Sequence, residues 1–219
     1  MLPRPTAVLF DLDGTIVDSA PGIVSSLAHT LEQLGLPVPT PAELLAWVGP
    51  PILDSFRDRA GLDHEESLRA LAVYRTHYRA VGILDAAPYP GVVDAIRAIH
   101  AAGIALSLAT SKPESSATVI LEGIGVIDAF DELTGATEDE TRSAKADVVA
   151  EALRRLTADG FDVSGAVMVG DRILDIEGAR ANGLPTIFAS WGYGAPAEAA
   201  GAIAVVADAG ELRRALGIA

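Results

Sequence analysis

The sequence predicts an α/β fold: a doubly wound parallel sheet interrupted by an all-helical insertion. Three observations lead there. From about residue 86 onward, short apolar runs alternate with helical stretches, the order that parallel strands joined by crossover helices require. One apolar run, Thr6–Phe10, stands apart at the start and stops abruptly at Asp11, as a strand buried on both faces does. Between that run and the alternating part, residues 16–85 carry helical periodicity only. The expected division is a core of residues 1–15 and 86–219 and a helical cap of residues 16–85.

After the first strand, Ile23, Leu27, Leu31 and Leu34 recur at helical spacing and end at Gly35, a natural stop. Thr40-Pro-Ala-Glu43 has the form of a capping box opening a second helix. Asp63 precedes a third, with Leu68, Leu71, Tyr74, Tyr78 and Val81 expected on one face. Beyond Pro88-Tyr-Pro-Gly91 the pattern changes. A helix over Val92–Ala102 closes at Gly103, and Ile104–Ala109 is a strand. Helices follow over Pro113–Glu122 and from about Ser143 to Leu156. Ala166–Val169 is a strand, and the next helix ends at Asn182-Gly183. Thr186–Phe188 and Ala202–Val206 are strands, and Asp208-Ala-Gly-Glu211 opens the last helix.

Of the 219 residues, 50% are hydrophobic, enough for a sizeable core and too many for a disordered chain. Sixteen Lys and Arg against 30 Asp and Glu give a net charge of −14, which opposes approach to nucleic acid and to anionic lipid. A ligand bearing phosphate would need a local positive focus, a metal ion or a well-placed lysine. With no cysteine, disulfides, thiolate chemistry and thiolate zinc sites are excluded. The amino-terminal stretch is too short in apolar residues for a signal peptide, and no run of about 18 apolar residues exists, so a cytoplasmic location with no membrane partner is expected. The expected assembly is a monomer or dimer.

In open parallel sheets, ligands bind beyond the carboxyl ends of the strands. Three apolar runs end in polar groups: Asp11-Leu-Asp13-Gly-Thr15, Thr110-Ser-Lys112, and Gly170-Asp171-Arg-Ile-Leu-Asp175. If those strands are neighbours, Asp11, Asp13, Asp171 and Asp175 converge with the Thr110 hydroxyl. Like charges about 4 Å apart repel by about 4 kcal/mol at an effective dielectric near 20, so such a cluster needs a cation. Hard oxygen ligands without Cys or clustered His point to Mg²⁺. Lys145 is the candidate for a second positive group. Each Asp taken alone is equally a helix cap or turn former, and it is their joint placement that favours chemistry.

Asp11-Leu-Asp13-Gly14-Thr15 after a strand resembles the first motif of the haloacid-dehalogenase-like phosphohydrolases. Thr110, Lys145, and Gly170-Asp171 with Asp175 match the remaining motifs in order. Asp18-Ser19, Val48-Gly49-Pro50-Pro51, Pro90-Gly91, Thr110-Ser-Lys-Pro113 and Thr141-Arg-Ser-Ala-Lys145 resemble the phosphoglycolate-phosphatase-like subgroup. The resemblance implies a Rossmann-like core, a helical cap, and Mg²⁺-dependent hydrolysis of a small phosphorylated metabolite. It implies that Asp11 is the nucleophile and Asp13 the general acid and base. By the same resemblance Asp11, the Asp13 main-chain carbonyl and Asp171 hold Mg²⁺, and Asp175 sits one layer further out. Thr110, Ser111 and Lys145 then bind the phosphoryl group.

The loop Trp47-Val-Gly49-Pro-Pro51, with Arg57, Arg75 and His77, supplies candidates for contacting the leaving group, although Trp47 also suits a core position and the arginines a solvated face. Glu138-Asp-Glu140 reads as a solvated acidic turn. An EF-hand fails because Ile16 stands where that loop needs Gly. Three alternatives stay open: a nucleoside monophosphate 5'-nucleotidase, a phosphosugar mutase, and a non-catalytic module that binds Mg²⁺ or phosphate.

Overall fold

A computed structural model describes residues 4–218. In chain order the first elements are β1 (Ala7–Phe10), β2 (Val17–Asp18), α1 (Ala20–Gln33), α2 (Pro41–Leu44), α3 (Ile52–Ala60), α4 (His64–Ala80), β3 (Ala87–Pro88) and α5 (Val92–Ala101). They are followed by β4 (Ala105–Pro113), α6 (Glu114–Gly123), β5 (Glu132–Ala136), α7 (Lys145–Ala158) and β6 (Val167–Gly170). The chain ends with α8 (Ile173–Ala181), β7 (Thr186–Ala189), β8 (Ala204–Val206) and α9 (Ala209–Ala215). Six strands form one parallel sheet in the order β5-β4-β1-β6-β7-β8. The order reverses on either side of β1, so the carboxyl ends of β1, β4 and β6 lie side by side.

Alternation along the strands splits the core in two. Val8, Phe10, Leu106, Leu108, Val167 and Val169 pack to one face of the sheet. Ala7, Leu9, Ala105 and Met168 pack to the other, under Val148, Val149 and Leu156 of α7. The helices between β2 and β3 build a third cluster of their own, in which Ile23, Leu27, Leu31, Phe56, Leu71 and Tyr74 are buried together. Among the described residues no helix is long and apolar enough to cross a membrane.

The segment 16–85 is not purely helical. Val17–Asp18 pairs antiparallel with Ala87–Pro88, so the chain leaves and re-enters the core through a two-stranded ribbon. The capping box at Thr40 forms, with the Thr40 N–H donating to Glu43 Oε2 at 2.8 Å, but it opens a helix of only four residues. The longer helix nearby is α3, which starts after Pro50-Pro51; the pair suits a helix start and cannot continue an earlier one. On α4 the buried stripe is Ser67, Ala70, Leu71, Tyr74 and Tyr78, whereas Leu68 and Val81 are 44% and 49% exposed. Leu68 lies one position off the stripe and so turns about 100° away from it.

Candidate active site

β1 delivers Asp11 to the rim of the sheet, where its N–H donates to Val169 O of β6 at 2.9 Å. The chain then reverses in a tight turn, with the Ile16 and Val17 N–H groups both donating to Leu12 O. Gly14 makes that turn possible: its φ is +87°, and a Cβ there would lie 2.4 Å from Asp171 Oδ2. Asp171, following β6, is wholly buried and accepts from Thr15 Oγ1 at 3.2 Å and from the Tyr193 N–H at 2.7 Å. Asp175, in the first turn of α8, accepts from the Arg172 N–H at 3.0 Å. Lys145 opens α7, and its Nζ meets Asp11 Oδ1 at 2.7 Å, Asp175 Oδ1 at 2.8 Å and Ala109 O at 3.1 Å.

The structure thus brings Asp11, Asp171, Asp175 and Lys145 together. One oxygen from each of the three carboxylates lies within 4.8 Å of the others, a spacing and donor chemistry that fit a hard divalent cation. Asp175 lies near enough to Asp11 and Asp171 to be a ligand itself, while its Oδ1 also pairs with Lys145. Burial pushes the Asp11 carboxyl up to about 6, with Lys145 opposing and Asp175 and Asp13 adding to the rise. Burial, then Asp175 and Asp11, push Asp171 well above the ordinary carboxylate range. Burial opposes the charge on Lys145, but Asp11 and Asp175 outweigh it and its pKa is raised. Without a further cation the pocket makes Asp11 and Asp171 hold their protons more tightly than free carboxyls do.

Asp13 faces a separate partner. Its Oδ2 pairs with Lys112 Nζ at 3.0 Å, and its Oδ1 accepts from the Ser19 hydroxyl. Thr110 is buried beside this pair, its Oγ1 accepting from the Lys112 N–H at 3.3 Å. Ser111 Oγ is buried without a partner at the edge of a cavity of about 50 Å³ that Asp13 and Lys112 also line. An orphan hydroxyl there has the chemistry to receive an anionic oxygen.

Three of the cap candidates do not reach this cavity. Trp47 is buried among the helices, edge-on to Phe56 at 6.1 Å between ring centroids, because its apolar surface completes the helical core. Arg57 points to solvent on α3 and pairs with Asp54 at 3.1 Å and Asp58 at 2.7 Å. His77 likewise turns away, stacked on His29 at 4.1 Å. Gly49 does line the cavity, as does Arg75. The acidic turn 138–140 is not simply solvated: Arg75 reaches Glu140 and the Glu138 carbonyl, and Arg79 pairs with Glu138 at 2.6 Å, joining α4 to the core.

Lys112, Tyr78 and Tyr193 are the neighbours of Asp13 and Asp171 that carried no role in the sequence. Lys112 had a signal, since it directly follows Thr110-Ser111 at the strand end. Tyr78 Oη accepts from Lys112 Nζ at 2.9 Å. Tyr193 Oη accepts from the Ser19 and Ala20 N–H groups and donates to Asp18 Oδ1 at 2.8 Å, pinning the ribbon that leads to the helices. It comes from an uncharged loop far along the chain, with nothing local to mark it.

Residues 8–189 match the haloacid dehalogenase-like hydrolases. Over 190 residues the chain is 40% identical to the tyrosine-protein kinase PtkA of Mycobacterium tuberculosis, covering 87% of this chain and 64% of that protein. It thus spans less than two thirds of the length of that relative. It is 35% identical over 200 residues to a phosphoglycolate phosphatase of Agrobacterium fabrum, covering 88% and 84% of the two chains. The crystal structure of a predicted phosphatase from Clostridium acetobutylicum superposes with a TM-score of 0.92 at 34% identity, covering 98% of this chain and 99% of that one. A match over most of the sequence, with relatives at 40% and 35% identity, fixes the membership: the chain belongs to the haloacid dehalogenase-like hydrolase family.

Proposed function

We propose that the protein is a Mg²⁺-dependent phosphomonoester hydrolase of the cytoplasm, acting on a small phosphorylated metabolite such as phosphoglycolate. The observation that carries this reading is the separation of the two acids of the first motif. Asp11 is held by Lys145 among carboxylates, while two residues on, Asp13 is held by Lys112 and Ser19. That separation supports one acid attacking and the other exchanging a proton.

In this reading the Asp11 carboxylate attacks phosphorus, forming an O–P bond as the bond to the leaving oxygen breaks. Asp13 gives its proton to that oxygen, so the alcohol departs neutral and an aspartyl-phosphate remains on Asp11. Asp13, now a carboxylate, takes a proton from water as the water oxygen attacks phosphorus and frees Asp11. Thr110, Ser111 and Lys145 steady the phosphoryl oxygens. Asp11, Asp171, Asp175 and the Asp13 carbonyl would hold Mg²⁺, which supplies the positive charge that offsets repulsion between the carboxylates and the substrate. The helices of residues 16–85 act as a cap that closes over the substrate and excludes water.

Inorganic phosphate release from a panel of phosphorylated metabolites, with Mg²⁺ and then with EDTA, tests the reading. Turnover is expected with Mg²⁺ only, and none with Asp11→Asn. Undiminished hydrolysis by that variant removes Asp11 from the mechanism. A second reading, a nucleoside monophosphate as substrate, is favoured by the lining of the cavity. Ile23, Leu71, Tyr74 and Tyr78 present apolar and aromatic surface. The cations Lys112, Arg75 and Arg79 are each already paired with an acid, leaving little for the extra carboxylate of phosphoglycolate. The ratio of kcat/KM for the two substrates decides between them.

A further inference from the structure

Lys112 is a lysine whose ammonium lies almost wholly out of water, its side chain 5% exposed. A buried charge of this kind is tolerated only with matched partners, and its partners are specific. Nζ meets Asp13 Oδ2 at 3.0 Å and Tyr78 Oη at 2.9 Å, and stands 4.5 Å from the centre of the Tyr78 ring. Its set is separate from that of Lys145, which serves Asp11, Asp175 and Ala109 O. The two lysines are therefore not duplicates, because each orders one acid of the Asp11-Leu-Asp13 pair.

The three partners come from three parts of the fold. Asp13 follows β1, Lys112 lies near the end of β4, and Tyr78 is on α4, stacked on Tyr74 at 5.5 Å within the helical cluster. Lys112 is therefore held from the core and from the helices at once. It is a fixed donor that spans acid and helices.

We propose that Lys112 is a positioning residue for the acid–base step: it holds the Asp13 carboxyl toward the leaving-group oxygen and, through Tyr78, does so fully only when the helices are seated on the core. This rests on the reading of Asp13 as general acid. The step affected is the one in which the Asp11–phosphorus bond forms, the phosphorus–oxygen bond breaks and the Asp13 proton passes to the departing oxygen. Misplacing that carboxyl harms poor leaving groups, which need the proton, and spares good ones.

The test compares kcat/KM for phenyl phosphate and p-nitrophenyl phosphate, esters of similar shape with poor and good leaving groups, using the full chain and saturating Mg²⁺. kcat/KM covers the steps up to departure of the alcohol, so slow hydrolysis of the aspartyl-phosphate does not enter it. Lys112→Met is expected to lose about 100-fold on phenyl phosphate and less than about 5-fold on p-nitrophenyl phosphate, in keeping with what a placed acid contributes. Lys112→Arg restores most of the loss. Tyr78→Phe, which removes a single oxygen and keeps the stacked ring, shifts the ratio in the same direction by a smaller factor. It decides the matter should Lys112→Met not fold. Equal losses on both esters, or an unchanged ratio in Tyr78→Phe, overturn the proposal. Asp13→Asn separates the two levels. If it retains turnover of phenyl phosphate, Asp13 is not the acid; if it loses that turnover while the Lys112 and Tyr78 variants keep the wild-type ratio, only the role of Lys112 falls.

Discussion

Two lysines take up three of the four carboxylates of the site, Lys145 pairing with Asp11 and Asp175 and Lys112 with Asp13, and the division sets what each substitution does. Lys145→Ala leaves Asp11 and Asp175 facing each other in a buried pocket with no ammonium between them. Removing one side of a buried pair costs about 3–5 kcal/mol. Urea unfolding in EDTA should show a loss of this size, and Mg²⁺ should restore more stability to the variant than it adds to the wild type, because the ion meets an uncompensated anion cluster. Equal Mg²⁺ effects on both proteins would place the ion elsewhere. Gly192 permits a different test. A Cβ there would stand 2.3 Å from Gly14 O and 2.4 Å from Asp171 Oδ2, so Gly192→Ala must push the Asp171 carboxylate or the Gly14 turn aside. Changes that shift a metal ligand without removing it lower affinity by about 10- to 100-fold. The Mg²⁺ concentration giving half-maximal phosphate release should rise by that factor.

At the level of elements, the sequence revealed the strands that read as apolar runs, the edge strand β8 among them, and missed those that do not. β1, β4, β6 and β7 have neighbours on both sides and read as apolar runs, and the polar residues where three of those runs stop, Asp11, Thr110 and Asp171, were legible as site residues for the same reason. β5, Glu132-Leu-Thr-Gly-Ala136, lies at the edge, where polar residues are tolerated and the apolar signal is lost. Its Gly135 packs where a Cβ would meet Lys112 O at 2.6 Å, so a residue that reads as a turn former is there for close approach to β4. The ribbon of β2 and β3 has two residues a side, too short for any periodicity. The acidic turn 138–140 misled because its partners, Arg75 and Arg79, lie about 60 residues away and on another element. The link between turn and helix is measurable. Arg75–Glu140 is largely shielded, with side chains 19% and 12% exposed, whereas Arg79–Glu138 is about half exposed at 51% and 50%. Double-mutant cycles on unfolding free energy should give about 1–2 kcal/mol of coupling for the first pair and under about 0.5 kcal/mol for the second. The second should vanish in 1 M salt.

Across the whole molecule, the proposed function makes protons and Mg²⁺ competitors for one set of buried acids in a chain of net charge −14. Asp11 is raised from 3.8 to about 6, and Asp171 is raised as well. A raised carboxyl holds its proton in the folded chain at pH values where the unfolded chain has released it. Its contribution to stability is therefore complete below about pH 4 and is lost as pH rises through about 6. In EDTA the melting temperature of the wild type, taken relative to that of Asp11→Asn, should fall across this window, since Asn carries no ionisable proton. Mg²⁺ binds the ionised carboxylates and so acts in the opposite sense. Its stabilisation of the wild type should be small near pH 4 and grow to about 2.7 kcal/mol above pH 6 when the ion is present at 100 times its dissociation constant. A Mg²⁺ shift that does not change between pH 4 and pH 7 would mean that the ion and the protons do not share Asp11 and Asp171, and the metal site would have to be sought on other residues.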